Sequence, residues 1–287
     1  MKLKNYGIDQ IIKKPIIISA TTTLLDARSI LLRHGISRLI VSANGKPIGI
    51  ITEKDLAKAI YSLNNGQIDK MLVSEIMSKR LVTVGENATL YDCARLMLNN
   101  KIGSVIVLKN NESLSGIITK TDITSVFLTQ AVNPLKISKI MTRKVITVKP
   151  ADSLLFVEGV LIKNHLSRLI VKRNQNPIGI ITPRDFIPAK IPLWLKQFGD
   201  PSEVENYRMS HLPHEYKLNQ LSYLTTFIAA DIMTPNPITV DVSEDVSTAS
   251  LLMIRHGISG LPVVKNKSLV GIVTKTDIVK AVASESN

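Results

Sequence analysis

One seven-residue closure recurs four times and limits what this chain can fold into. Gly49-Ile50-Ile51-Thr52-Glu53-Lys54-Asp55 returns as Gly116-Ile117-Ile118-Thr119-Lys120-Thr121-Asp122. It returns again as Gly179-Ile180-Ile181-Thr182-Pro183-Arg184-Asp185 and as Gly271-Ile272-Val273-Thr274-Lys275-Thr276-Asp277. In each copy a glycine opens a short apolar strand, a threonine ends it, and an aspartate stands one helical turn later. A fourfold internal repeat of this kind specifies an array of similar units. A unit of about 60 residues is too small to be secure alone, so pairing between units is expected.

The register is tight. Arg38, Ser104, Arg168 and Gly260 hold one equivalent position at the start of the second strand. Ile18, Val84, Val148 and Val240 precede them at a constant distance, and Ile11, Met77, Met141 and Met233 stand before those. Each repeat reads strand, helix, strand, turn, strand, helix. In the second, Leu81–Val84 is a β-prone run, and Thr89–Asn99 puts Leu90, Cys93, Ala94, Met97 and Leu98 on one helical face. Ser104–Leu108 and Gly116–Ile118 are the next strands, and Asp122 falls in the first turn of a closing helix. Asn44-Gly45 marks a tight hairpin in the first repeat, because both residues tolerate positive φ. Strands such as Leu39-Ile40-Val41 are almost continuously apolar and predict burial on both faces. His34 and His256, each before a glycine, read as helix C-terminal residues.

The pattern divides the chain into repeats at 1–73, 74–137, 138–190 and 231–287. Residues 191–230 interrupt the spacing. They hold Trp194, Phe198, Tyr207, Tyr216, Tyr223 and Phe227, half of the aromatic residues, and read as a structured connector in which Leu218–Ala230 forms a helix leading into the fourth repeat, the alternative being a ligand lid or a partner-binding surface.

The chain has 287 residues and is 45% hydrophobic, which supports a folded core. No apolar run approaches the roughly 18 residues of a membrane helix. Met1–Ile12 shows no signal-peptide core, and a cytoplasmic location is expected. The single cysteine, Cys93, excludes an internal disulfide and reads as a small core residue. Net charge is +13, with +6 over residues 1–73 and +7 over residues 138–190, so the basic excess lies in the first and third repeats. Such a surface attracts polyanions. No Ser-His-Asp order, Walker loop or glycine-rich dinucleotide fingerprint occurs. His211 and His214 beside Glu215 do not make a convincing metal site, and an enzyme is not expected.

Threonine followed three residues later by an acid at a helix start is close to a capping box, and these residues have that structural use in any case. The same geometry suits a ligand. A helix N-terminus offers free N–H groups and partial positive charge to a phosphate. A neighbouring carboxylate accepts hydrogen bonds from two ribose hydroxyls.

The Ile-Met-Thr openings, the strand Gly257–Val264 and the four closures resemble the cystathionine-β-synthase (CBS) domain over about residues 10–190 and 231–284. The resemblance implies an α/β (α+β) fold of four β-α-β-β-α repeats, the first paired with the second and the third with the fourth as two Bateman modules in a disc-like, pseudo-symmetric assembly. It implies phosphate and ribose contacts at Thr52 with Asp55, Thr119 with Asp122, Thr182 with Asp185 and Thr274 with Asp277. Arg38 and Arg168 occupy the position from which the family points a basic residue at phosphate. Ser104 and Gly260 stand there in the other repeats, leaving those sites empty or dependent on the paired repeat. The first and third sites are favoured. The base pocket maps to Ile18, Ile36, Val84, Ile102, Val148, Leu166, Val240 and Ile258, each of which also reads as core.

The expected function is therefore a non-catalytic regulatory or sensor protein binding an adenosine nucleotide (AMP, ADP or ATP) in clefts between paired repeats, with no fixed metal. The implied partners are that nucleotide, an unidentified regulated protein and a second copy of the chain, with no membrane. The alternatives are a basic nucleic-acid-binding protein and a structural scaffold with vacant clefts.

Overall fold

A computed structural model describes residues 3–62, 70–130, 134–186 and 227–284. The chain divides into two compact units, one of residues 1–59, 63–145 and 238–287, the other of residues 60–62 and 146–237. Most of the 191–230 connector lies outside the described residues, as do His211 and His214.

The larger unit holds three sheets of the same design. In the first repeat β1 (Ile17–Ile18), α1 (Leu24–His34), β2 (Arg38–Ala43), β3 (Lys46–Thr52) and α2 (Glu53–Ser62) follow in order. The second repeat is introduced by a short α3 (Val73–Ile76). It continues as β4 (Thr83–Gly85), α4 (Leu90–Asn99), β5 (Ser104–Leu108), β6 (Leu114–Thr119) and α5 (Lys120–Gln130), and α6 (Ile137–Ile140) comes after it. In the smaller unit, β7 (Thr147–Val148), α7 (Leu154–Lys163), β8 (Leu169–Arg173) and β9 (Asn176–Ile181) lead to a 3-10 turn, Pro183–Phe186, and later to α8 (Ala229–Ile232) and β10 (Thr234–Pro235). The larger unit closes with β11 (Val240–Asp241), α9 (Val246–Arg255), β12 (Gly260–Lys265), β13 (Ser268–Thr274) and α10 (Lys275–Ala283).

In every sheet a short parallel strand joins an antiparallel hairpin. The sequence register is the structural register. Ile18, Val84, Val148 and Val240 lie opposite Val41, Val107, Val171 and Val263, and these in turn face Gly49, Gly116, Gly179 and Gly271. A bulge follows at the same step in all four hairpins. Asn44 and Gly45 make the first hairpin turn with φ of 51° and 76°, the left-handed pair that matches strand twist.

Both faces of the central strands are buried, which explains their continuous apolar runs. Leu39 and Val41 face the core beneath α1 and α2, whereas Ile40 joins Ile106 and Ile117 in a small cluster shared by the first and second sheets. The helices of the second and fourth repeats pack together. Met97, Phe127, Met253 and Val279 belong to one continuous core with Leu3 and Ile8.

The segment preceding each repeat packs on another repeat. Gly7 and Lys13 bridge to Thr89 and Ile117 of the second repeat, while Leu72 and Ser78 bridge to Thr23 and Ile50 of the first. Lys136 and Thr142 bridge to Asp245 and Ile272, and within the smaller unit Ile228 bridges to Ser153 and Thr234 pairs with Ile180. Each segment lays a side chain over the glycine of the sheet it joins: Ile12 on Gly116, Met77 on Gly49, Met141 on Gly271 and Met233 on Gly179. A Cβ on any of these glycines would collide with that side chain. In the first segment the side chain is Ile12, one residue beyond the Ile11 that the spacing selects.

The expected helix over Leu218–Ala230 does not extend through its described end. Phe227 is outside any helix, and Ile228 is extended (φ −116°, ψ 166°) as the cap of α8. Its bridge to Ser153 gives this backbone a strand-like partner that helix would forgo.

Candidate nucleotide-binding corners

Each closure builds a corner where a strand ends and a helical turn starts. Asp55 Oδ2 accepts from the Thr52 backbone N–H at 2.9 Å and from its hydroxyl at 2.7 Å. Asp122 does the same with Thr119 (2.8 and 2.6 Å), Asp185 with Thr182 (2.7 and 2.9 Å), and Asp277 with Thr274 (2.9 and 2.7 Å). All four acids therefore cap, as the spacing predicts. The threonine proton is directed at the carboxylate, and in three corners the first backbone N–H of the turn is already engaged, Glu53 donating to Ser37, Lys120 to Gly103 and Lys275 to Ser259. Oδ1 of each aspartate stands outside the hydrogen bonds to its capping threonine. Asp122, Asp185 and Asp277 are buried and Asp55 is half-buried.

The Oδ1 atoms differ in their surroundings. Lys13 Nζ lies 2.6 Å from Asp122 Oδ1. Lys280, one turn along its own helix, is 3.6 Å from Asp277 Oδ1. Asp55 Oδ1 has no ion-pair or hydrogen-bond partner among the described residues.

Arg38 opens β2 directly opposite Thr52, but its guanidinium does not stay in its own repeat. It lies over Gly103 of the second repeat, where an added Cβ would be 3.1 Å from both terminal nitrogens. Nε and Nη2 donate to Ser37 Oγ at 3.3 and 3.0 Å. Burial lowers its pKa, opposed first by the charge of Asp122 and then by Glu53. Repeat-by-repeat reading groups Arg38 with Asp55; the carboxylate whose charge acts most on it is Asp122 of the second repeat. The physical reason is that the strand start sits at the seam between two sheets packed together, so a long side chain there crosses it. Arg168 immediately precedes β8 with its Nε buried. Ser104 is buried opposite Thr119, and Gly260 lies opposite Thr274.

The eight base-pocket positions fall into two sets. Ile18, Val148 and Val240 are inside cores. Ile36, Val84, Ile102, Leu166 and Ile258 are partly buried at the core edges, and these keep surface that a planar base could cover.

Three lysines were not singled out by the sequence reading. Lys120 Nζ donates to Thr276 Oγ1 at 2.9 Å, and Lys275 Nζ donates to Thr121 Oγ1 at 3.0 Å, a reciprocal exchange between the second and fourth repeats. The signal is the identical Thr-Lys-Thr-Asp that only these two repeats carry. Lys13 stands where the other bridging segments have Ser78, Thr142 and Thr234, a departure visible once the bridges align them. No cluster of metal-binding residues occurs among the described residues, and no described helix is long and apolar enough to cross a membrane.

The CBS-domain family profile matches residues 8–62, 73–129, 137–191 and 229–284, and the chain belongs to that family. Among its relatives is the uncharacterized protein MJ1225 of Methanocaldococcus jannaschii, 26% identical over 93% of this chain and 95% of its own length. Protein MJ1404 of the same organism is 28% identical over 97% of this chain, which spans 62% of that longer protein. The crystal structure of MJ1225, described as a proposed archaeal homologue of γ-AMPK, aligns with a TM-score of 0.77 at 24% identity, covering 96% of this chain and 99% of that one. A conserved protein of Pyrococcus horikoshii aligns with a TM-score of 0.62 at 21% identity, over 96% and 99%. Likeness at these identities concerns the fold.

Proposed function

We propose that the chain is a non-catalytic regulatory protein that binds an adenosine nucleotide in clefts between paired repeats. The observation that carries this reading is the placement of Arg38: a half-buried guanidinium that lies over Gly103, whose carbonyl accepts the first N–H of α5, with Asp122 the first carboxylate acting on its charge. A planar, permanently charged fork at a helix N-terminus is suited to phosphate oxygens. A carboxylate with one oxygen fixed in a cap has its other oxygen for a ribose diol. In this reading Arg38 binds phosphate in the second corner, Asp122 receives the sugar, and Ile102 lies at the base. Thr52 with Asp55, Thr182 with Asp185 together with Arg168, and Thr274 with Asp277 form the remaining corners.

Scanning fluorimetry against AMP, ADP, ATP and S-adenosylmethionine tests it. A native-state ligand at a hundredfold excess over its Kd stabilises by about 2.7 kcal/mol, so a melting shift with an adenosine nucleotide is expected. Arg38→Ala is expected to reduce that shift, and Asp55→Ala combined with Asp185→Ala to reduce it further. No shift with any adenosine nucleotide, and no heat on titration at millimolar concentration, would sink the proposal. A salt-dependent gel shift with RNA or DNA that is indifferent to Arg38→Ala and Arg168→Ala would favour a nucleic-acid partner, to which the +13 charge is suited.

A further inference from the structure

The Asp122 side chain is only 2% exposed, and both its oxygens are engaged. Oδ2 belongs to the helix cap and Oδ1 to the ammonium of Lys13. Lys13 comes from the N-terminal segment that lies on the second repeat, its backbone bridged to Ile117. Its own side chain is 64% exposed, so one end of the ion pair is held in the corner and the other reaches it from solvent. At the equivalent bridging position Ser78, Thr142 and Thr234 are too short and uncharged to do this. The lysine therefore distinguishes one corner from its three sisters.

We propose that Lys13 is an internal latch on the second corner: its ammonium occupies the carboxylate oxygen that a ribose diol would use, so a nucleoside enters only by displacing it. This rests on the nucleotide reading given above and adds to it a rule about which corner fills. A buried carboxylate needs a compensating cation or donors. Lys13 supplies one when the corner is closed; two sugar hydroxyls supply donors when it is open, with Arg38 remaining nearby. Apparent affinity is reduced by the fraction of time the latch is open. The second corner is thus expected to fill after the first, where Asp55 Oδ1 meets no such competitor among the described residues.

Adenosine separates this from a direct role of Lys13 in binding phosphate, because it carries the diol without the charge. Isothermal titration of the full chain with adenosine is expected to show binding about tenfold tighter in Lys13→Ser than in the parent, the gain expected if the latch is open about a tenth of the time. Lys13→Gln, which keeps the stem, is expected to behave alike. Adding Asp122→Asn is expected to abolish the gain. Adenosine affinity unchanged or weakened in both lysine variants overturns the latch, as does a gain that survives Asp122→Asn. Loss of AMP affinity with adenosine unchanged would make Lys13 a phosphate ligand and also overturn it. If the parent binds AMP through Arg38 while the lysine variants show no gain, only the latch fails; if no form binds AMP or adenosine, the nucleotide reading fails and the latch with it.

Discussion

Four equivalent residues terminate the first helix of each repeat with a left-handed backbone, and only two of them are glycine. Gly35 and Gly257 have φ of 60° and 64°, whereas Lys101 and His165 adopt 54° and 52° at the same place. A side chain in this region is strained by roughly 1–2 kcal/mol, offset in part by the greater freedom glycine loses on folding. Lys101→Gly is therefore expected to stabilise by about 0.5–1 kcal/mol, read as a higher urea midpoint at unchanged slope; an unchanged or lower midpoint would contradict it. Cys93 poses a different question at the same scale. Burial, and secondarily the charge of Asp92, pushes its thiol up to about 12. At pH 8 almost no thiolate forms, so iodoacetamide is expected to label the native chain negligibly and to label it promptly in denaturant. Cys93 and the four caps were legible in the sequence, because core periodicity and Thr-x-x-Asp spacing are local. The ion pair of Lys13 was not, because 109 positions of chain separate it from Asp122.

The bridging segments are the elements that make repeats interdependent. Each contributes a methionine or isoleucine to the floor of a glycine in the middle of another strand, and the contact leaves no room for a Cβ. Gly49→Ala is expected to force Met77 aside and to cost about 1–3 kcal/mol. Gly85→Ala, where an added Cβ meets nothing within 4 Å, serves as the near-neutral control. Met77→Ala placed in the Gly49→Ala background should cost less than in the parent, since it removes the collision; strictly additive effects would refute the contact. The glycine and the methionine were both visible as recurring letters. Their meeting was not, because the repeat donates its opening segment to a different sheet from the one it precedes in sequence.

In the larger unit as a whole, second and fourth repeats share a helical core and exchange two lysines. Lys275 is buried, its stem packed and its ammonium on Thr121, with Lys120 on Thr276 in return. A charge-assisted hydrogen bond of this kind contributes about 1.5–3 kcal/mol. Lys275→Ala is expected to destabilise by about 1–2 kcal/mol, with a coupling of at least about 0.5 kcal/mol to Thr121→Ala in a double-mutant cycle. Zero coupling would mean that the exchange holds nothing together. Because both lysines are the first residues of helices whose third residues are the candidate ribose acids, the same cycle repeated with bound AMP would read any linkage between those corners.

By itself the sequence determined the unit: its strands, its hairpin register, its caps and the family to which it belongs, all set by periodicities shorter than one repeat. Only tertiary structure decided which groups meet. Arg38 lies over Gly103 of the second repeat, Lys13 closes on Asp122, and Lys120 answers Lys275, because each meeting depends on how two folded surfaces come together. A repeated sequence cannot state which of its near-identical copies will supply the opposing side chain.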